Sequence, residues 1–339
     1  MIRVGVVGYG TIGKRIASAI LKQPDMILVG VVKRTPDYSV KIGISRGLHF
    51  FIPDETFANS WNEAGVKFHG TITQLLEECD VVVDATPKGT GMKNKGLYEN
   101  NGLKAVFQGG EPPEVGDLSF VAQVNYDKAL GVRFLRVVSC NTTGLARLLH
   151  AINQEHPIDK AIACIVRRSV DPNQDAKGII DCVVPTIGVS HHTKDLKTVL
   201  SDVNIITFAV KIPVTHFHVH MLSIKLRNEV SSREIIDILE EARRIALIPS
   251  KDGLRSTAKL LDLSRELERS RFDFYENLIW LDSVCADGKW IHLMQAIHQE
   301  AIVVPENIDA IRAISGLADA LKSMDLTDSA LSITRARFF

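Results

Sequence analysis

The sequence predicts an α/β protein: a Rossmann-type doubly wound parallel sheet followed by a second, α+β domain with a mixed or antiparallel sheet. Three observations carry this. The run IRVGVVGYGTIG at 2–13 sets Gly8, Gly10 and Gly13 in a G-x-G-x-x-G between an apolar stretch and the helical pattern Ile12, Ile16, Ile20. Short apolar runs then alternate with helical or glycine-rich connections up to residue 138. Beyond that point longer strand-like runs replace them.

Taken in order, 2–7 reads as the first strand and the glycines as the turn into the first helix. Gly8 permits the turn, Gly10 lets the backbone approach a pyrophosphate, and Gly13 allows helix and strand to pack closely, so the motif is expected to hold a dinucleotide. A second strand over 27–32 follows the breaker Pro24, and further strands are expected at 81–85, 105–108 and 134–138. In such a sheet ligands lie beyond the carboxyl ends of the strands, which directs Asp84-Ala85-Thr86-Pro87, Gln108-Gly109-Gly110 and Ser139-Cys140-Asn141 toward one crevice. Asn141 and Thr142 are capping candidates for a helix carrying Leu145, Leu148, Leu149 and Ile152 on one face. Strands at 161–166, 205–212 and 216–226 and a helix over 232–246 make up the second domain. A last helix over 305–324, with proline in its first turn, is expected to return to the first. The resulting boundaries are 1–139, 140–304 and 305–339.

Composition narrows the function classes. Over 339 residues, forty basic side chains balance forty acidic ones, so no net field favours nucleic acid or an anionic membrane, and any anion must be caught locally. No apolar run reaches the roughly 18 residues of a membrane helix, and the N-terminus reads as a strand and not a leader, which points to a cytoplasmic protein. Cys79, Cys140, Cys164, Cys182 and Cys285 are odd in number, scattered and without a C-x-x-C pair, as expected of free thiols in a reducing compartment.

Chemistry concentrates in four places. Cys140 lies between a strand end and a helix start, where unpaired N–H groups and the helix dipole favour a thiolate. It reads as a nucleophile or as a buried thiol, while the other cysteines lie in apolar runs and read as core. His216, His218 and His220 recur at every second position and share one face of a strand, suited to proton chemistry; with no acidic or thiol partner at ligand spacing, no metal site is expected. His191-His192 reads as a more exposed pair able to meet an anion. Arg167-Arg168 ends a strand, where a bidentate phosphate clamp or an ordinary surface pair are both open.

Together these segments resemble the archaeal-type phosphorylating glyceraldehyde-3-phosphate dehydrogenase family. The residues that carry the resemblance are VGYGTIGKR at 7–15, FQGGE at 107–111, RVVSC at 136–140 continuing as SCNTTG to 144, VRR at 166–168, SHH at 190–192 and HQEAIVVPENIDAIRA at 298–313. The resemblance spans nearly the whole chain. It implies that Cys140 attacks the aldehyde of D-glyceraldehyde 3-phosphate, that His218, aligned on Pro213, is the general base, and that inorganic phosphate cleaves the resulting thioester. It further implies that Ser139 and Asn141 hold the substrate and its oxyanion. Arg168, His191 and His192 would lie near substrate phosphate and cofactor, with Thr11, Ile12, Gly110 and Gln299 lining the cofactor, in a homotetramer. The chain departs from the family in having His216-Phe217 where a leucine-methionine pair is usual.

The cofactor has its own handle. The second strand ends in Lys33-Arg34 instead of the acidic residue that binds an NAD ribose, so NADP is expected beside NAD, with Lys33 on the 2′-phosphate. Rival readings are another acylating enzyme, such as aspartate-semialdehyde dehydrogenase or N-acetyl-glutamyl-phosphate reductase, and a cofactor-binding regulator without turnover.

Overall fold

A computed structural model describes residues 1–108, 110–168 and 183–339; Gly109 and Cys182 fall outside these. The chain divides into two compact units. One comprises Met1–Val138 and Val304–Leu331, the other Ser139–Val303 and Ser332–Phe339.

The first unit holds eight strands: β1 (Ile2–Val7), β2 (Met26–Val32), β3 (Phe50–Ile52), β4 (Gly70–Thr71), β5 (Val81–Asp84), β6 (Lys104–Phe107), β7 (Leu118–Phe120) and β8 (Phe134–Val137). They lie in the order β4-β3-β2-β1-β5-β6-β8-β7 and every pairing is parallel. Helices cover both faces of such a sheet, which is why β1, β5 and β6 read as largely apolar runs, with charge only at Arg3, Asp84 and Lys104 near their ends. Strand order reverses between β1 and β5, so the switch point where a ligand binds adjoins the turn at Gly8.

The helix Val304–Ser315 belongs to this unit and is buried from Val304 to Ile314. Its polar groups are paired there. Arg312 forks onto Asp25 with two bonds of 2.8 Å, holding that carboxyl below its usual range, and Asn307 Nδ2 donates to Gln108 Oε1 at 2.8 Å. The single helix expected over 305–324 is in fact two. Gly316, at φ +68°, stops the first, and Ala320–Leu331 forms another. Residues 332–339, expected with the first domain, instead join the second unit. There Leu247 N–H donates to the Ala336 carbonyl at 2.7 Å and Thr334 N–H to Glu276 Oε1 at 2.7 Å.

The second unit contains β9 (Ile158–Arg168), β10 (Val184–Pro185), β11 (Ile205–Ile212), β12 (Phe217–Leu226), β13 (Ile245–Ile248), β14 (Asn277–Trp280), β15 (Cys285–Asp287) and β16 (Trp290–His298). The order is β10-β11-β9-β12-β16-β14-β13 with β15 beside β16, and the sheet is mixed. The helix expected over 232–246 ends at Glu241, because Ile245–Ile248 is spent as β13 in parallel pairing with β14.

The helix Cys140–Glu155 packs on one face of this sheet through buried Leu145, Leu148, Leu149 and Ile152. Gly144 permits the approach: a Cβ there would lie 2.8 Å from Ile297 Cγ2. On the opposite face Phe208, Cys164, Met221 and Met294 stand in one cross-strand row. Phe208, Met221 and Met294 are exposed. Among the described cysteines outside the site only Cys79 is a core residue, its burial pushing the thiol up to about 12; Cys164 is half-buried and Cys285 exposed.

Candidate active site

Cys140 is the first residue of its helix, and the cap is Ser139, not Asn141 or Thr142. Ser139 Oγ accepts from Thr142 N–H at 3.3 Å and lies 2.9 Å from Thr142 Oγ1, which donates to Asp195 at 2.5 Å. The Ser139 hydroxyl, expected to hold the substrate, is thus engaged in fixing the helix start. Asn141, 1% exposed, bridges two histidines, with Oδ1 2.9 Å from His220 Nε2 and Nδ2 3.3 Å from His192 Nε2.

His218 Nε2 lies 3.5 Å from Cys140 Sγ, and its Nδ1 accepts the backbone N–H of Arg168 at 3.1 Å. The thiol is not depressed, as a helix terminus alone led one to expect. Burial pushes it up to about 11, outweighing the lowering effects of Arg167, Arg168 and the first helical N–H groups. His218 is driven well below its ordinary value by burial and by the charges of His220, Arg167, Arg168 and His192. Both shifts favour the uncharged pair, thiol and neutral imidazole.

The three strand histidines do not share one environment. His218 and His220 are buried beneath the helix, whereas His216 precedes β12, is half-buried and contacts Thr215 Oγ1 at 2.7 Å. Nor are His191 and His192 alike. His191 is exposed, but His192 is 1% exposed and its pKa falls to about 3, chiefly through burial.

Arg168 departs from its expected role as a phosphate ligand. Its guanidinium is buried and spent on protein: Nη1 pairs with Glu300 at 3.0 Å and donates to the Thr215 carbonyl, and Nε donates to Gln299 Oε1. Gln299, expected to line the cofactor, is thereby engaged on Arg168. Arg167 is a second cation near the reactive groups, lowering the pKa of Cys140, His192 and His218, and its buried Nε has no partner among the described residues. The signal was present in the sequence, since adjacent strand residues point to opposite faces and the two guanidinium groups therefore cannot be equivalent.

In the first unit the glycine turn fits a dinucleotide. Gly8 has φ +98°, and a Cβ on Gly13 would lie 1.8 Å from the Gly8 carbonyl oxygen. Gly10 caps the ten-residue helix Thr11–Ile20 without any side-chain hydrogen bond, and open space surrounds the place of its missing Cβ. The first N–H groups of that helix, at Thr11 and Ile12, are thus presented to an anion. Gly110 has φ +81°. Lys33 is not a bare cation: its ammonium bonds Asp37 at 2.7 Å, Ser39 Oγ at 3.1 Å and the Tyr9 carbonyl at 3.4 Å. Arg34 lies over the Phe57 ring, 5.7 Å from its centroid. Among the described residues no group of three or more histidine, cysteine or acidic side chains is placed to hold a metal.

Residues 139–277 match the family described as glyceraldehyde 3-phosphate dehydrogenase, C-terminal domain, and residues 2–109 match that of the dihydrodipicolinate reductase N-terminus. Curated relatives match from end to end. A glyceraldehyde-3-phosphate dehydrogenase of Thermoplasma volcanium is 45% identical over 336 residues, covering 99% of each chain. That of Hyperthermus butylicus is 47% identical over 339 residues, covering 99% of this chain and 98% of its own, and that of Metallosphaera sedula 46% over 335 residues, covering 98% of each. With a nicotinamide-type dinucleotide fold before a cysteine–histidine pair, and with this identity over its full length, the chain belongs to the glyceraldehyde-3-phosphate dehydrogenase family.

Proposed function

We propose that the chain oxidises D-glyceraldehyde 3-phosphate to 1,3-bisphosphoglycerate with inorganic phosphate and a nicotinamide cofactor, through a thioester on Cys140. The observation that carries this is the 3.5 Å approach of His218 Nε2 to a half-buried thiol at a helix N-terminus. Sulfur attacks the aldehyde carbon, and the new C–S bond leaves a thiohemiacetal. A bound nicotinamide supplies the acceptor for the hydride that this carbon then loses. As the hydride leaves, the thiohemiacetal hydroxyl gives up its proton and the carbon becomes a thioester; phosphate oxygen attacks it and sulfur departs as the thiolate.

His218 has two tasks in this sequence. With Nδ1 occupied by the Arg168 N–H, its proton is on Nε2, where it hydrogen-bonds sulfur and steadies the charge that develops there. To take the hydroxyl proton, Nε2 must first be bare, which requires the proton on Nδ1 and release of the Arg168 bond. Arg167 and His192 are the groups proposed to receive phosphate oxygens, with Arg168 and Gln299 holding the strand end behind them.

NADP is the proposed preferred cofactor, with NAD accepted. Asp37 is consumed by Lys33 and by the Ser39 N–H, at 2.9 Å, and so is not offered to a ribose hydroxyl. Arg34 is the cation proposed for the 2′-phosphate. A homotetramer is proposed as well, using the row of exposed Phe208, Met221 and Met294 with half-buried Cys164 as an association surface. No helix among the described residues is long and apolar enough to cross a membrane, and a cytoplasmic location is proposed.

The test is steady-state oxidation of D-glyceraldehyde 3-phosphate with each cofactor, phosphate being first omitted and then restored. Turnover that depends on phosphate is expected. Undiminished multiple turnover without phosphate, or turnover only with a different semialdehyde, overturns the assignment.

A further inference from the structure

A chain of buried amides and imidazoles runs beneath the helix N-terminus, and its polarity is set at one end. The Gly144 carbonyl can only accept. It receives Asn277 Nδ2 at 2.6 Å and Gln295 Nε2 at 3.3 Å, and Asn277 Nδ2 also donates to Gln295 Oε1 at 2.8 Å. Gln295 therefore presents N–H to His220 Nδ1, 3.0 Å away. With Nδ1 accepting, the proton of neutral His220 is on Nε2, which donates to Asn141 Oδ1 at 2.9 Å. The Asn141 amide is thereby oriented with Nδ2 toward His192 Nε2 at 3.3 Å, and His192 must accept. Its own proton then belongs on Nδ1.

That nitrogen is buried and has no hydrogen-bond partner among the described residues. An unsatisfied buried N–H is costly, and Arg167 lies near enough to lower the pKa of this ring, so the place suits an acceptor brought by an anionic ligand. We infer that His220 is a positioning residue: acting through Asn141, it holds His192 in the Nδ1–H tautomer, a preset donor for a phosphate oxygen. Both rings have pKa values lowered to about 3 by burial, so they stay neutral at working pH and the tautomers are well defined.

The phosphate oxygen has two sources, inorganic phosphate and the phosphoryl group of the aldehyde; only this assignment of the ligand rests on the proposed reaction. His220→Leu removes the donor to Asn141, while His220→Gln keeps an N–H at the place of Nε2. We expect His220→Leu to raise KM for one of the two ligands about tenfold or more with a smaller change in kcat, on the scale of one buried hydrogen bond. A rise confined to the phosphate arm assigns that source, and one confined to the aldehyde arm the other. His220→Gln should restore KM to within about threefold, and His220→Leu should add nothing further in an Asn141→Ala background. Unchanged KM for both ligands, failure of glutamine to rescue, or full additivity with Asn141→Ala overturns the inference.

Should the leucine variant not fold, nitrogen-15 spectra of the histidine-labelled wild-type protein decide the matter without turnover. Protonated Nδ1 in His192 and protonated Nε2 in His220 are expected, and the reverse pattern in either ring overturns the proposal. A protein that shows these tautomers yet does not oxidise the aldehyde would sink the proposed reaction and leave the polar chain standing.

Discussion

The backbone N–H of Arg168 bonds Nδ1 of His218 at 3.1 Å and so leaves the ring's proton on Nε2, 3.5 Å from Cys140 Sγ. An imidazole held this way is a donor to sulfur before it is a base, and the two tasks are separable. His218→Gln retains an N–H near the Nε2 position but offers no base. Turnover should fall about 100-fold to 10,000-fold, while the rate of Cys140 alkylation by iodoacetamide at neutral pH stays within about fivefold of wild type. Equal collapse of both rates would show that deprotonation of the thiol already needs a basic imidazole.

Cys140 itself gives a pH signature. Burial raises its thiol to about 11, so the alkylation rate should climb by about tenfold per pH unit from pH 7 to 9, since each unit multiplies the thiolate fraction by that factor. A plateau already reached near pH 6 would instead mark a thiolate–imidazolium pair. Labelling at neutral pH should also reach exposed Cys285 without loss of activity, because that thiol lies on β15 opposite His292 and contacts none of the site residues described above.

Arg167 and Arg168 should fail in different ways. Arg168→Ala leaves Glu300 buried without its 3.0 Å partner and should destabilise the protein by roughly 3 to 5 kcal/mol, read as a shift in the denaturation midpoint. Arg167→Ala breaks no ion pair among the described residues and should leave that midpoint nearly unchanged while raising KM for phosphate or for the phosphorylated aldehyde by tenfold or more, on the order of a charge-assisted bond. The opposite allocation would restore Arg168 as the anion ligand.

For the cofactor, Arg34→Ala should raise KM for NADP by about tenfold and leave KM for NAD within about threefold, as loss of one charge-assisted contact to a 2′-phosphate requires. Lys33→Ala should act on both cofactors alike, because its ammonium holds Asp37, Ser39 and the Tyr9 carbonyl and so shapes the turn. A selective NADP defect from Lys33→Ala would return the 2′-phosphate to that lysine.

The parallel sheet was legible because strands buried on both faces, such as β1 and β5, read as apolar runs between helices. Strands β3, β4 and β7 have only two or three residues each, too few to show a period. In the site, Cys140 was legible from its place at a helix start. The use of Arg168 was not, because Glu300 and Gln299 come from 131 residues or more along the chain and only the fold brings them together. The burial of His192 was hidden likewise: the polar residues around it look like a solvated turn until Asn141 is placed beneath it. The Lys33–Asp37 pair lay in view four residues apart, yet nothing local shows that the carboxylate also caps the helix Tyr38–Ser45.

The buried histidines bear on stability as well as chemistry. His192 and His220 have folded pKa values near 3, far below the ordinary value of about 6.5 that they regain on unfolding. Between those limits the unfolded chain binds more protons than the folded one, so stability is full above about pH 6.5 and declines as pH falls toward 3. Each ring contributes a slope of up to about 1.4 kcal/mol per pH unit within that window. Paired carboxylates such as Asp25, whose pKa is lowered from 3.8, add their own loss only at more acid pH, so the interval from pH 6 to 5 isolates the histidines. Across it, His220→Gln should lose about 1.4 kcal/mol less than the wild-type protein in denaturant unfolding, whatever its stability at pH 7. An identical decline in the two proteins would mean that His220 titrates normally in the fold, and that the ring is not the neutral donor its contacts with Gln295 and Asn141 require.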